Sequence, residues 1–337
     1  MIRNEIGSEF CNIPISDKKN GMFCKDTKWF ISGTAALRYI IADILSSKQV
    51  KKASLPSWCC GCMIEPFVSA GMEVEFYPVT VNEKQLIVDV SQISGEVVLV
   101  MDYFGYLGQV TVPAGFDGIV IRDITHSVFS ATYFDADYYF GSLRKWAGFW
   151  TGGFAFSVFF DSDCEIMRVD NSYVSMRKEA MKLKREYLNG THNSKSYLLE
   201  FEKCEEFLDS CDIMGADEND INSAEYLNVS FIKNLRKKNA RILLSELGNI
   251  AIFPEPNNEC PLFVPIIVDN GCRNELRRFL ISNDIYCPVH WPLTDEHEGI
   301  SDEARSIYNQ ELSLICDQRY DDKDMQKIIE TIKDFFA

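Results

Sequence analysis

Between Gly118 and Phe156 the sequence reads GIVIRDITHSVFSATYFDADYYFGSLRKWAGFWTGGFAF, and four of its residues could do chemistry together: Asp123, His126, Ser142 and Lys145. Ile119-Val120-Ile121 is an apolar run that ends at Arg122-Asp123, and His126 follows the acid by three positions. A second run, Ala136 to Phe140, ends in Gly141-Ser142-Leu143-Arg144-Lys145. Thr151-Gly152-Gly153 opens a third, Phe154 to Phe160. Read as strands, these runs put an acid, an imidazole, a hydroxyl and an amine near strand ends, where open α/β sheets bind ligands. An acid and a lysine held this way suit pyridoxal 5'-phosphate (PLP). Lys145 would form the Schiff base, and Asp123 would pair with the protonated pyridine nitrogen and keep the ring an electron sink.

The elements around this stretch must position it. Upstream, Ile31-Ser32-Gly33-Thr34-Ala35-Ala36-Leu37 leads into apolar residues at Leu37, Ile40, Ile41, Ile44 and Leu45, the spacing of one helix face. A Gly and two hydroxyls at a helix start make a phosphate site. An ordinary N-cap is the simpler reading taken alone, and the Asp123 and Lys145 context reverses that preference. Strands are expected at Ala53 to Trp58, Val74 to Val79 and Val97 to Met101, with a helix from Met63 to Gly71 among them. Alternating strands and helices argue a mostly parallel sheet. MRKEAMKLKREYL and YLLEFEKCEEFLD then read as helices with charged outer faces. The polar stretch Asp212 to Ser223 marks a domain boundary: 1–212, with an irregular lead-in over residues 1–30, and 213–337. The second part is read as a helix over Ile232 to Leu247, a strand over Leu262 to Val268, a helix around Asn274 to Ile281, a strand over Ile285 to Val289 and a last helix from Asp324 to Phe336.

Composition narrows the function. A chain of 337 residues can bury a sizeable core. Its formal charge of −16 argues against a nucleic-acid surface, which needs clustered Lys and Arg, but leaves room for an anion in a local basic pocket. No apolar run approaches the ~20 residues of a membrane span, and MIRNEIGSEF has no apolar signal core. The expected location is the cytoplasm, with the twelve cysteines reduced.

SGTAAL, LPSW…AGMEVEFYPV, RDITHS, SLRK followed by TGG, and CPVHWPL stand in the order found in fold-type I PLP enzymes. From Ile31 to Leu293 the chain resembles the DegT/DnrJ/EryC1/StrS group, the sugar aminotransferases. The resemblance implies an α/β fold of the fold-type I PLP-dependent transferase class. It has a large domain with a mostly parallel central sheet, a smaller C-terminal α/β domain, and a homodimer with active sites at its interface. It implies an aminotransferase that moves an amino group from a glutamate-like donor to a keto-sugar nucleotide. Lys145 matches the Schiff-base lysine and Asp123 the pyridinium partner. His126 matches a residue that contacts the cofactor ring or its phenolic oxygen. Gly33, Thr34 and Ala35 match the phosphate-binding helix start, and Ser142 is the phosphate hydroxyl.

The sequence also departs from that pattern. Ser142 precedes Lys145 by only three positions, and the loop from Asp123 to Lys145 is short. Cys60 stands where an aromatic residue stacks on the ring, and Trp58 is the substitute two positions earlier. The segment that reaches the neighbouring subunit has only Asn189 and Asn193 as counterparts. The alternatives are another fold-type I reaction, such as elimination, and a non-enzymatic or thiol-redox protein on the same fold. The redox reading rests on Trp58-Cys59-Cys60-Gly61-Cys62, a W-C-x-x-C at a helix start. A zinc site lacks a second ligand pair. Asp123 could instead pair with Arg122, and Arg144 could be a salt-bridge residue or a phosphate contact. Arg177, Lys178, Lys182, Lys184 and Arg185 read as a solvated helix face. The tract from Tyr187 to Asn193, with Trp150, is expected at the dimer contact.

Overall fold

A computed structural model describes residues 5–83, 85–91, 93–130, 135–161, 164–269 and 271–337. In chain order the elements begin with β1 (Ile6–Gly7), β2 (Lys28–Phe30), α1 (Gly33–Ser47), β3 (Lys52–Pro56), α2 (Gly61–Ser69), β4 (Glu73–Tyr77), β5 (Val79–Asn82), β6 (Gln85–Val88), β7 (Val97–Met101) and β8 (Ile119–Asp123). They continue with β9 (Tyr138–Ser142), β10 (Gly153–Phe156), α3 (Asn171–Leu188), α4 (Tyr197–Asp209), α5 (Glu218–Glu225) and α6 (Val229–Leu247). The last are β11 (Val264–Ile267), α7 (Arg273–Ser282), β12 (Ile285–Tyr286), α8 (Asp302–Gln310), β13 (Glu311–Leu314) and α9 (Asp322–Phe336). Two compact units share them. The first comprises Glu5, Glu9–Gln49 and Asp137–Val229, and the second Ile6–Ser8, Val50–Ala136 and Ser230–Ala337.

In the first unit β2, β10 and β9 pair antiparallel, with Gly153 opposite both Phe30 and Ser142. Helix α1 packs on β9 and β10. Two glycines make this arrangement possible. Gly152 has φ +115°, a conformation that L side chains rarely adopt. A Cβ on Gly153 would stand 2.0 Å from the Ser32 carbonyl oxygen, so only glycine lets β10 run against the start of α1. Helix α3 begins at its cap Asp170, whose carboxylate accepts the Ser172 N–H at 2.6 Å.

In the second unit β4, β3, β7 and β8 lie side by side and parallel. The register runs from Val97 opposite Ile119 to Met101 opposite Asp123. All five residues of β7, VVLVM, are buried, as expected of a parallel strand covered on both faces. The C-terminal part of this unit has its own apolar cluster, built by α6, β11, α7, β12, β13 and α9; the one buried member from earlier in the chain is Ile6. Ile6 arrives there because β1 pairs parallel with β12.

The structure departs from the sequence reading in several places. The strand expected at 136–140 is β9 at Tyr138–Ser142, so Gly141 and Ser142 are strand residues held by β10 rather than the turn after a strand. The polar stretch 212–223 carries most of a helix, α5, capped by Asp217. Helix α8 and strand β13 were not expected at all. The basic face of α3 is also not solvated throughout: Arg177 and Lys184 are each 1% exposed, while Lys178 and Lys182 reach solvent. Burying those two cations requires counter-charges. Arg177 finds Glu9 at 3.0 Å and Glu205 at 3.1 Å, and Lys184 lies 3.5 Å from Glu5 and donates to the Glu9 carbonyl.

Candidate active site

Two neighbouring sequence motifs, SLRK and TGG, meet a third, SGT, from far upstream in the first unit. Ser32 caps α1, its Oγ accepting the Ala35 N–H at 3.1 Å. Ala35 therefore spends its donor on the cap. For Gly33 and Thr34, both partly exposed, no hydrogen bond from the backbone N–H is found among the described residues. Donors in this position form the anion-binding end of a helix. Ser142 ends β9 against this helix start, since a Cβ on Gly33 would lie 3.5 Å from the Ser142 Cβ. The start of α1, with its two N–H groups, and the serine are therefore direct neighbours. The next turn of chain, Leu143–Lys145, is a single 3-10 turn closed by the Trp146 N–H on the Leu143 carbonyl at 2.9 Å. It ends on Lys145, whose side chain is exposed.

Charge is concentrated around that turn. Arg144 pairs with Glu205, which identifies it as a salt-bridge residue. The Glu9 carboxyl is lowered to about 2: burial pushes it up, but Arg177 first, then Arg144, Lys145 and Lys184, outweigh burial. Behind the turn, Thr151 donates its N–H and its hydroxyl to Asp220, both at 2.7 Å. A cavity of about 260 Å³ in the same unit is lined by Trp150, Lys178, Arg185 and Asp220 among others. Its two cations are engaged: Lys178 Nζ sits 3.8 Å from the centre of the Trp150 ring, and Arg185 donates to the Cys11 carbonyl.

The second unit holds the acid and the imidazole. Asp123 is buried at the end of β8, and its carboxylate accepts the Thr125 N–H at 2.7 Å. Arg122, next to it, turns to other partners, Asp102 at 2.9 Å and Asp135. Asp102 also accepts the Ser127 hydroxyl at 2.7 Å. Burial raises the Asp102 carboxyl, and Arg122 opposes that rise. The pairing of Asp123 with Arg122 considered from sequence is therefore absent from the hydrogen bonds and ion pairs of Arg122. His126 accepts the Phe104 N–H on Nδ1 at 3.2 Å. An accepting Nδ1 puts the proton of the neutral ring on Nε2. The ring lies nearly parallel to Trp291, 5.7 Å away at 15°, and edge-on to His290 at 5.6 Å.

Trp58 is enclosed. Its ring stacks on Tyr103 at 5.1 Å, meets Trp291 edge-on at 5.8 Å, and donates from Nε1 to the His290 carbonyl at 2.6 Å. No part of it reaches solvent, whereas Cys60 at the head of α2 is half-buried. His290 and Trp291 are the residues that the sequence reading gave no role. The CPVHWPL segment was visible, but nothing in it announces that it lies against His126 and Trp58, more than a hundred residues upstream. The W-C-x-x-C reading is corrected here: Cys59 is wholly buried, and burial raises its thiol well above the usual value. It makes a poor attacking thiol.

No family model matches the sequence, and no curated protein does either. Solved structures do match. The aminotransferase TlmJ from Streptoalloteichus hindustanus aligns with 93% of this chain and 86% of its own at a TM-score of 0.65 and 15% identity. The chain has the fold of these aminotransferases. A sugar aminotransferase from Micromonospora echinospora covers 92% of this chain and 87% of its own, with a TM-score of 0.58 and 15% identity. A Streptococcus pneumoniae protein solved in its PLP form covers 91% and 86%, with a TM-score of 0.61 and 17% identity. The α/β architecture expected from the sequence, that of fold-type I, is therefore the one observed.

Proposed function

We propose that the chain is a PLP-dependent aminotransferase acting on a keto-sugar nucleotide, with a glutamate-like amino donor. The observation that carries the proposal is the convergence of SGT, SLRK and TGG in the first unit, on a fold whose solved examples include a protein in its PLP form. The chemistry of this helix start fits the cofactor's phosphate. Gly33 and Thr34 offer backbone N–H groups at the positive end of α1, and Ser142, next to Gly33, offers a hydroxyl. Ala35 supports the same turn through its bond to Ser32. When bound, PLP supplies the electron sink that lets an amino group pass between an amino acid and a carbonyl.

The chain's own residues supply the rest. Lys145 is the amine that binds the cofactor and later moves a proton at the substrate Cα. Asp123 is the buried carboxylate that favours a protonated ring nitrogen, because an opposite charge nearby stabilises the charged form. His126, held with its proton on Nε2, is a donor toward the ring or its phenolic oxygen. Of the two residues considered for the ring face, Cys60 retains accessible surface and Trp58 does not. We also propose a homodimer, a cytoplasmic location and the division 1–212 and 213–337. The C-terminal apolar cluster, whose buried members other than Ile6 begin at Ala240, supports a separate C-terminal core.

The test is borohydride reduction of purified protein incubated with PLP, followed by peptide mapping. The expected result is a yellow protein that bleaches, with the label on Lys145. Lys145→Ala should take no reducible label. A label on another lysine, or an equal label in Lys145→Ala, overturns the assignment.

A further inference from the structure

The sequence CCGC puts three thiols at the head of α2, and the structure separates their roles. Cys59 is a core residue pinned on both sides. Its N–H donates to the Tyr308 hydroxyl at 3.0 Å, and its carbonyl lies 3.1 Å from His297 Nε2. Cys60 is the N-cap of α2, with extended backbone at φ −80° and ψ 141° and no capping bond from its side chain. Cys62 lies in the first turn and is exposed. The sulfurs of Cys60 and Cys62 are 2.9 Å apart, with Cys62 donating. A disulfide needs about 2.05 Å, so the two thiols are close but unbonded. The residue between them cannot interfere. Gly61 has no side chain, and a Cβ there would meet Thr294 Oγ1 at 2.7 Å.

We propose that Cys60 and Cys62 form a reversible dithiol–disulfide site that reacts with small disulfides of the glutathione class. The exposed Cys62 thiolate attacks one sulfur of the disulfide, forming a mixed disulfide and expelling a thiolate. Cys60 loses its proton and attacks the Cys62 sulfur, expelling the second thiolate. Each departing thiolate takes up one of the two protons released. The protein loses two hydrogens as two protons and two electrons, and one glutathione disulfide becomes two glutathione molecules. Charge on the attacking sulfurs develops at the N-terminal end of α2, the end of a helix that favours anions. The burial of Cys59 keeps it out of the exchange.

The experiment incubates the full chain with glutathione disulfide, quenches with an alkylating agent and maps the cysteines by mass. The wild type should lose two hydrogens, carry a Cys60–Cys62 linkage and leave Cys59 reduced until denatured, and dithiothreitol should reverse the change. Cys59→Ser should oxidise as the wild type does. Cys60→Ser should stop at a glutathione adduct on Cys62, with a wild-type circular dichroism spectrum to show that it folds. A linkage containing Cys59 overturns the proposal, as does oxidation of the wild type that stops at the adduct or fails to occur. The readout is mass, so it stands or falls independently of the cofactor reading.

Discussion

Asp123 and Lys145 sit in opposite surroundings, one buried at a strand end and one exposed on a turn. Burial makes the charge of Asp123 effective. On the proposed role, Asp123→Asn would remove a charge-assisted hydrogen bond to the ring nitrogen worth ~1.5–3 kcal/mol. We expect kcat to fall by roughly 10- to 10²-fold with PLP still retained, as measured by single-turnover absorbance; unchanged turnover would remove Asp123 from its role. Glu311 is the other buried acid with a clear consequence. Its carboxyl is pushed up to about 8 by burial, against the bonds from Ser313 and the His290 N–H and the charge of Arg273. A carboxyl that holds its proton more tightly when folded stabilises the fold fully below about pH 4.5, and that contribution is lost as pH rises through about 8. Glu311→Gln should therefore flatten the fall in Tm between those pH values by at least ~2–4 °C, the shift that ~1 kcal/mol gives in a large domain. Equal slopes for both proteins would show that Glu311 is ionised in the fold. The sequence pattern proposed Asp123 and Lys145 because one closes an apolar run and the other follows one closely. It could not find Glu311, because a charged residue in a strand argues against burial until its partners are known.

Elements read from composition alone came out where pairing agrees with local preference. Val97 to Met101 and Tyr197 to Asp209 are both found at the positions expected. Pairing overrode composition in β9, where Gly141 and Ser142 are drawn into the strand by Phe154 and Gly153. It did so again in β13, where Glu311 and Ser313 alternate with two leucines on a fully buried strand. Two predictions belong to this scale. Gly153→Ala forces a methyl group against the Ser32 carbonyl, and it should weaken PLP binding by more than about tenfold, ~1.4 kcal/mol. Fluorescence titration reads this directly, and wild-type affinity would separate TGG from the phosphate site. Arg122→Met strands the buried Asp102 carboxylate at the end of β7–β8. It should cost about 3–5 kcal/mol of stability; adding Asp102→Asn should recover part of that in urea unfolding. Additive losses in the double variant would mean that the pair does not act as one unit.

At the scale of the whole chain, the proposed symmetric dimer is open to one measurement. Light scattering should report a dimer that PLP stabilises, as a ligand bound only by the assembled state does. A fully active monomer would end the shared-site proposal. The way the two units draw on the chain has a different outcome. The first is complete once Val229 has been made, whereas the second still lacks Ser230–Ala337. Ile6 pairs with Ile285, and the Gly7 N–H bonds to the Tyr320 hydroxyl at 2.7 Å. At ~5–20 residues per second on the ribosome, every segment of the lysine-bearing unit is synthesised before β12, the partner of β1. Translation that stops before residue 285 would leave the aspartate-bearing unit without that pairing, and Ile6 without the strand that holds it in the C-terminal apolar cluster.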